Sequence, residues 1–333
     1  MQSIGALPGF LDPLPNPNSL LPYIKAVFPG TDVLGPAHVH WWPCREHQLP
    51  PKRVFLFIPG NHGRSGNPGL VDFYPPFLSA IHNKDESGRL AILSHSHIGH
   101  TPALQVQQSR DGNTPQCGLP FQVQNALRIF DAVKSSFGLD TNVILAGHSV
   151  GAWIALQVLK ARPESVSGIF LLFPTIADIA MTPNGRKLSW AFVSPIPRIT
   201  AALSRVLVVL PFSVLRRLFP SYPLEQAYVL QSLLRSAKVI YATMTMAHDE
   251  MKTIRDLDVA TLNAHQHRIY LYFAENDDWV GEQREVILKA FESDPGSVRV
   301  VHGHRDIPHA FCINHGEELA SQCHAWLSSG ELC

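Results

Sequence analysis

The sequence predicts an α/β fold: a mostly parallel central sheet flanked by helices, with a helical cap inserted late in the chain. Three observations carry this expectation. Short apolar runs alternate with amphipathic stretches. A G-x-S-x-G pentapeptide sits between one such run and one such stretch. From 174 to about 258 the alternation stops, and apolar and basic residues continue without clear strands.

The elements follow in order. Prolines at 8, 13, 15, 17 and 22 make the start of the chain an irregular arm, without the basic and apolar regions of a secretory signal. Residues 53–58 (RVFLFI) form a strand that Pro59-Gly60 ends, and 90–94 form a second. Leu127, Phe130 and Val133 share one helical face within 121–137. A strand over 142–146 precedes a helix whose Ala152, Ala155, Leu156 and Leu159 fall at i, i+3, i+4 and i+7, with Pro163 just beyond. Strands over 166–173, 268–274 and 297–301 and a helix over 316–326 complete the pattern. The expected organisation is an arm with the first strands (1–52), a first core segment (53–173), an apolar helical insertion (174–258) and a second core segment (259–333).

Composition narrows the function. The chain has 333 residues, enough for one large α/β domain with an insertion. Lysine plus arginine number 27 and aspartate plus glutamate 27, so no net charge attracts nucleic acid. Charged residues make up 16%, low for a soluble domain, which points to an apolar part of the surface. Cys44, Cys117, Cys312, Cys323 and Cys333 are odd in number, widely spaced and free of CxxC pairs, as reduced thiols facing the cytosol would be. Within 188–219, Arg198, Arg205, Arg216, Arg217 and internal prolines interrupt the apolar run. Its best continuous piece, 201–215, falls short of the roughly 20 residues a spanning helix needs. It suits a segment lying in one leaflet with arginines at the headgroups; the alternative is an ordinary buried cap.

The chemistry centres on Gly147-His148-Ser149-Val150-Gly151. A serine on a sharp turn between strand and helix projects its oxygen above the sheet, the nucleophile elbow of the α/β-hydrolase fold. Side chains at 147 and 151 would collide with backbone there. The helix that follows points its positive end at the reacting carbonyl. A serine hydroxyl needs a base, and in this fold the chain order is serine, acid, histidine. The strand over 268–274 runs into Glu275-Asn276-Asp277-Asp278. Of the two adjacent aspartates only one can orient a histidine, and Asp277 is chosen; Asp278 is then a solvated or loop-capping carboxylate. Downstream lie His302, His304, His309, His315 and His324. His302 and His304 crowd a strand end and His315 and His324 belong to the last helix, which leaves His309 as the base. Oxyanion donors are the backbone N–H groups of Val150 and of the turn Pro59-Gly60-Asn61-His62-Gly63, with Asn61 first and His62 second.

Other clusters are discounted. The run Ser94-His95-Ser96-His97-Ile98-Gly99-His100 follows a strand end and lacks cysteines, and His302-Gly303-His304 is similarly weak as a metal site. The glycines over 60–69 lack the GK[ST] ending of a phosphate loop. No metal or organic cofactor is expected.

FIPGN at 57–61, SHSHIGH at 94–100, GHSVGAW at 147–153, NDDWV at 276–280 and HAF at 309–311 together resemble the lipid droplet-associated hydrolases, a branch of the α/β-hydrolases. The pieces run in order over about 53–326. The resemblance implies Ser149 as nucleophile, Asp277 as acid and His309 as base. It also implies residence on lipid droplets and the endoplasmic reticulum, at the cytosolic face, through an apolar insertion. The family turn commonly reads PGNPG; here His62 replaces its second proline. The expected activity is hydrolysis of lipid esters, sterol ester or acylglycerol. The rivals are a thioesterase or short-chain esterase of the same fold, and a droplet surface protein with weak or no activity.

Overall fold

The computed structural model describes residues 7–14, 21–46, 49–61, 70–102, 104, 117–207, 209–291, 296, 298–303 and 306–329. His62, Gly63, His304 and Cys333 therefore lie outside the described residues.

The described residues form a nine-stranded sheet. In sequence order its strands are β1 (Asp12–Pro13), β2 (Ile24–Phe28), β3 (Ala37–Trp42), β4 (Arg53–Ile58), β5 (Leu90–His95), β6 (Asn142–His148), β7 (Val166–Leu172), β8 (Ile269–Phe273) and β9 (Arg299–His302). In space the order is β1-β2-β3-β5-β4-β6-β7-β8-β9. The first three strands join antiparallel, β3 onto β5, and every later pairing is parallel. The parallel strands β4 to β8 are buried on both faces, which is why they read as continuous apolar runs.

The helices are α1 (Pro75–Lys84), α2 (Leu119–Phe137), α3 (Val150–Ala161), α4 (Pro183–Leu188), α5 (Ile196–Leu207), α6 (Phe212–Leu218), α7 (Leu224–Leu234), α8 (Ala237–Thr253), α9 (Val259–Ala264), α10 (Gln283–Lys289) and α11 (Gly316–Ser328). Two apolar clusters lie on the two faces of the sheet. On one, α2 and α3 pack against the alternate residues Val54, Leu56 and Ile58 of β4; on the other, α1 and α11 meet Phe55 and Phe57. Between β7 and α9 the described structure is helical, from α4 to α8.

Register fixes where the loops emerge. Ile58 pairs with Gly147, His148 with Leu172 and Leu172 with Tyr272, while Phe273 pairs with His302. The C-terminal ends of β4, β6, β7, β8 and β9 thus lie along one sheet edge, where ligands of open parallel sheets bind.

Candidate active site

Ser149 follows β6 directly, with φ 56° and ψ −123°. That left-handed conformation is strained for a non-glycine residue, and the neighbours hold it. The Ser149 N–H donates to Leu172 O at 2.9 Å, and Ser149 O accepts the N–H of Ala152 at 3.0 Å. Tight packing explains both motif glycines. A Cβ on Gly147 would stand 2.2 Å from Gly151 O, and one on Gly151 would stand 2.2 Å from Ile58 O and 2.6 Å from Pro59 O. These obstacles are backbone atoms, so they cannot swing aside. Val150 opens α3, and its main chain sits at the positive end of that helix.

Asp277 and His309 meet at the same edge. His309 Nδ1 lies 2.7 Å from Asp277 Oδ2, with side chains 8% and 5% exposed. The other carboxylate oxygen, Oδ1, accepts the N–H groups of Trp279 at 2.9 Å and Val280 at 3.2 Å. Burial raises the Asp277 pKa, but the His309 charge and hydrogen bond and these two N–H groups outweigh it and hold the carboxyl below its usual value. Asp278 is exposed. Of the other histidines, His302 ends β9, His315 precedes α11 and His324 lies within it.

A third segment closes on the serine. A Cβ on Gly60 would be 3.0 Å from Ser149 Cβ, which brings the turn after β4 against the serine. The Gly60 N–H donates to the Tyr74 hydroxyl at 3.0 Å. Asn61, the next residue, is 1% exposed. Its amide nitrogen donates to Thr243 O at 3.1 Å and to Glu250 Oε1 at 2.6 Å, both on α8.

Sequence reasoning passed over the struts around these groups. His148 Nε2 lies 2.9 Å from His309 O, and His148 Nδ1 lies 2.8 Å from the Tyr74 hydroxyl. A carbonyl can only accept, so Nε2 carries a proton; in the neutral ring Nδ1 then accepts from Tyr74. One chain of hydrogen bonds thereby links the Gly60 turn, the elbow and the His309 loop. The discounted histidine run has a similar place. His97 Nε2 donates to Pro59 O at 2.9 Å, and His100 Nε2 lies 3.3 Å from Asn61 Oδ1. Burial lowers the pKa of His100 to about 4 and that of His97 well below its ordinary value, so both rings are neutral near pH 7. Their signal in the sequence was position, one strand over from the turn.

Among the described residues, one group has the donor set for a metal: His38, His40 and Asp72, on the antiparallel side of the sheet. The Lys25 ammonium lies 2.6 Å from Asp72 Oδ1 and stands where a cation would bind the carboxylate. The described cysteines, Cys44, Cys117, Cys312 and Cys323, are buried free thiols.

A family described as lipid-droplet associated hydrolase matches residues 51–312. The human protein named lipid droplet-associated hydrolase is 28% identical over 294 residues, covering 81% of this chain and 83% of its own. The Drosophila melanogaster protein of the same name is 25% identical, covering 86% of this chain and 92% of its own. Among solved structures, MGS-M2, an α/β-hydrolase enzyme from a deep-sea metagenome library, superposes with a TM-score of 0.60 at 11% identity, over 91% of this chain and 97% of that one. At that identity the likeness shows the fold, which is the α/β-hydrolase fold.

Proposed function

The chain belongs to the lipid-droplet associated hydrolase family, and on that footing we propose that it is a serine hydrolase cleaving carboxylic esters of lipids, sterol ester or acylglycerol, at the droplet surface. The observation that carries this reading is the buried Asp277–His309 pair, 2.7 Å apart, on the sheet edge that also presents Ser149 on its strained elbow. In the proposed cycle Ser149 Oγ attacks the ester carbonyl while His309 Nε2 takes its proton. Asp277 holds the Nδ1 proton and stabilises the imidazolium. The N–H groups of Asn61 and Val150 receive the charge that develops on the carbonyl oxygen. His309 then protonates the departing alcohol. Water, deprotonated by the same ring, frees the acid from Ser149. His309 carries every proton of the cycle, so the scheme contains no cofactor.

A lipid substrate and surface are supported by the helices between β7 and α9. Ile199, Leu203 and Val206 fall at i, i+4 and i+7 on α5 and are 51%, 63% and 67% exposed. Trp190, Val209 and Leu218 are exposed beside this stripe in the chain, and Arg198, Arg205, Arg216 and Arg217 are interleaved. No helix among the described residues is long and apolar enough to cross a membrane. An apolar face rimmed by arginine suits adsorption to one leaflet or a droplet monolayer. On this reading 188–219 is the docking surface within an insertion over 174–258. The protein then resides at the cytosolic face of droplets and the endoplasmic reticulum, in keeping with its free thiols.

Fluorophosphonate labelling of the wild type and Ser149→Ala tests the nucleophile; labelling that survives in the variant removes Ser149 from its role. Rates on long-chain lipid esters, acyl-CoA and short soluble esters then fix the substrate class, and a preference for acyl-CoA would make the enzyme a thioesterase.

A further inference from the structure

Glu250 is a carboxyl with 0% exposure on α8, outside the Ser149–His309–Asp277 set. Burying a carboxylate without a compensating cation is costly, and no Lys or Arg is paired with it among the described residues. Its Oε1 accepts the Asn61 amide at 2.6 Å, and its Oε2 has no partner among the described residues. Thr243, seven residues earlier on the same face of α8, offers its carbonyl to the same amide nitrogen at 3.1 Å. From the opposite side His100 Nε2 stands 3.3 Å from Asn61 Oδ1. The Asn61 side chain is therefore gripped by α8 on one side and by the loop after β5 on the other. Its neighbour Gly60 lies against Ser149.

We propose that Glu250 is a positioning residue: by clamping the Asn61 side chain to α8, it aims the Asn61 main-chain N–H at the oxyanion. This rests on the reading of Asn61 and Val150 as oxyanion donors. A side-chain amide held at both ends leaves its own backbone little rotational freedom. Glu250 touches neither substrate nor nucleophile and acts through Asn61. Burial first, with the nearby Asp249 charge adding to it, raises the Glu250 pKa to about 8 against the bond from Asn61, so near neutrality the group is mainly a neutral acid. A neutral acid still offers the acceptor oxygen the clamp requires. The geometry thus needs an oxygen at this point rather than a charge.

The test uses the full chain and a soluble short-chain ester, in three variants. Glu250→Leu removes the acceptor, and kcat falls about 100-fold, the scale of a 1 Å misplacement at a reacting centre, while KM stays within about threefold. Glu250→Gln restores an acceptor oxygen and keeps kcat within about threefold of wild type. Asn61→Ala keeps its backbone N–H but loses the clamp, and it falls as far as Glu250→Leu. In the Asn61→Ala background Glu250→Leu then costs nothing further, because the two act as one unit. Wild-type kcat in a folded Glu250→Leu or Asn61→Ala, additive losses in the double variant, or a 100-fold loss in a folded Glu250→Gln would each overturn the proposal. If Glu250→Leu does not fold, Glu250→Gln and Asn61→Ala still decide by the same criteria. Ser149→Ala, run alongside, separates the two failures: activity surviving there sinks the hydrolase reading, whereas activity lost there but kept in the clamp variants sinks only the clamp.

Discussion

Replacing Asp277 by asparagine removes a charge while leaving the shape intact, and the structure dictates how the new amide must sit. In the wild type Oδ1 takes two backbone N–H groups, from Trp279 and Val280, and Oδ2 takes the His309 ring at 2.7 Å. Asparagine has one acceptor oxygen for these two sides. If the oxygen stays with the backbone, the amide N–H₂ faces His309 Nδ1. The ring can then only accept there, and its proton moves to Nε2, the atom that must receive the Ser149 proton. If the amide turns over, two buried N–H donors lose their acceptor, at about 1–3 kcal/mol each. The first arrangement wins, and it holds the base in the wrong tautomer.

The corresponding exchange in a serine protease triad costs about 10⁴ in kcat, and the same tautomer argument gives that figure here. At 1.36 kcal/mol per decade the loss is about 5.4 kcal/mol of transition-state stabilisation. The fold survives, because the Trp279 and Val280 bonds remain. The assay is steady-state hydrolysis of a soluble short-chain ester, with fluorophosphonate labelling and a thermal melt on the same sample. A folded Asp277→Asn that keeps more than a tenth of wild-type kcat would refute the reasoning. Asp278→Asn is the control; its exposed side chain predicts a change below about threefold.

Gly151→Ala pushes a methyl to 2.2 Å from Ile58 O; overpacking of this kind costs about 1–3 kcal/mol, and the displaced elbow lowers kcat about 100-fold, read from a denaturant melt and ester turnover, with wild-type values in both counting against the elbow packing. Burial lowers His95 and His100 to a pKa of about 4, so the folded state binds fewer protons than the unfolded chain below pH 6.5. Their stabilisation is complete above pH 6.5, and each histidine has lost about 2 kcal/mol of it by pH 5. Glu250, raised to about 8, acts with the opposite sign: its stabilisation is complete below pH 4.5 and disappears as pH rises through 8. Urea melts of Glu250→Gln should therefore fall more steeply from pH 7 to 5 than wild type and gain about 4 kcal/mol at pH 8; a parallel curve would contradict both assignments. Leu203→Glu with Val206→Glu removes two exposed apolar side chains from α5. At about 1.5–3 kcal/mol each, partitioning onto phospholipid-coated emulsion should drop by at least 100-fold in a flotation assay, and undiminished flotation would place the docking surface elsewhere.

Much of the parallel half of the sheet was legible because β4 to β8 are buried on both faces and read as continuous apolar runs. At the edge after β6, β8 and β9 the structure places Ser149 on the elbow and bonds Asp277 to His309. The antiparallel side was not resolved strand by strand. β3 reads AHVHWW, and its buried histidines break the apolar signal that a strand buried on both faces would give. β1 is two residues long, below the reach of any period. α1 starts on Pro75-Pro76, a pair that reads as a breaker unless its place in the first turn is known. Position picked His309 from 17 histidines, but no spacing rule could show that His97, His100 and His148 brace the site, since their partners come from other segments.

Those braces share a physical logic. Loops leaving the C-terminal edge of a parallel sheet carry carbonyls that have lost their ladder partners, and here two residues that bear them, Pro59 and His309, are buried. Pro59 O and His309 O are two such groups, and each takes a histidine Nε2. A backbone amide cannot reach them without adding a strand, and a lysine would bring a charge into the interior. A neutral imidazole supplies one N–H on a rigid ring and an acceptor on its far side, which is why His148 can bridge the His309 loop and Tyr74 at once. The requirement is neutrality. A second ring proton on His148 would turn the acceptor facing Tyr74 into a donor and break the hydrogen-bond chain to Gly60. The rings that hold the turn, the elbow and the His309 loop in register therefore serve as neutral groups, the state in which His148 both donates to His309 O and accepts from Tyr74.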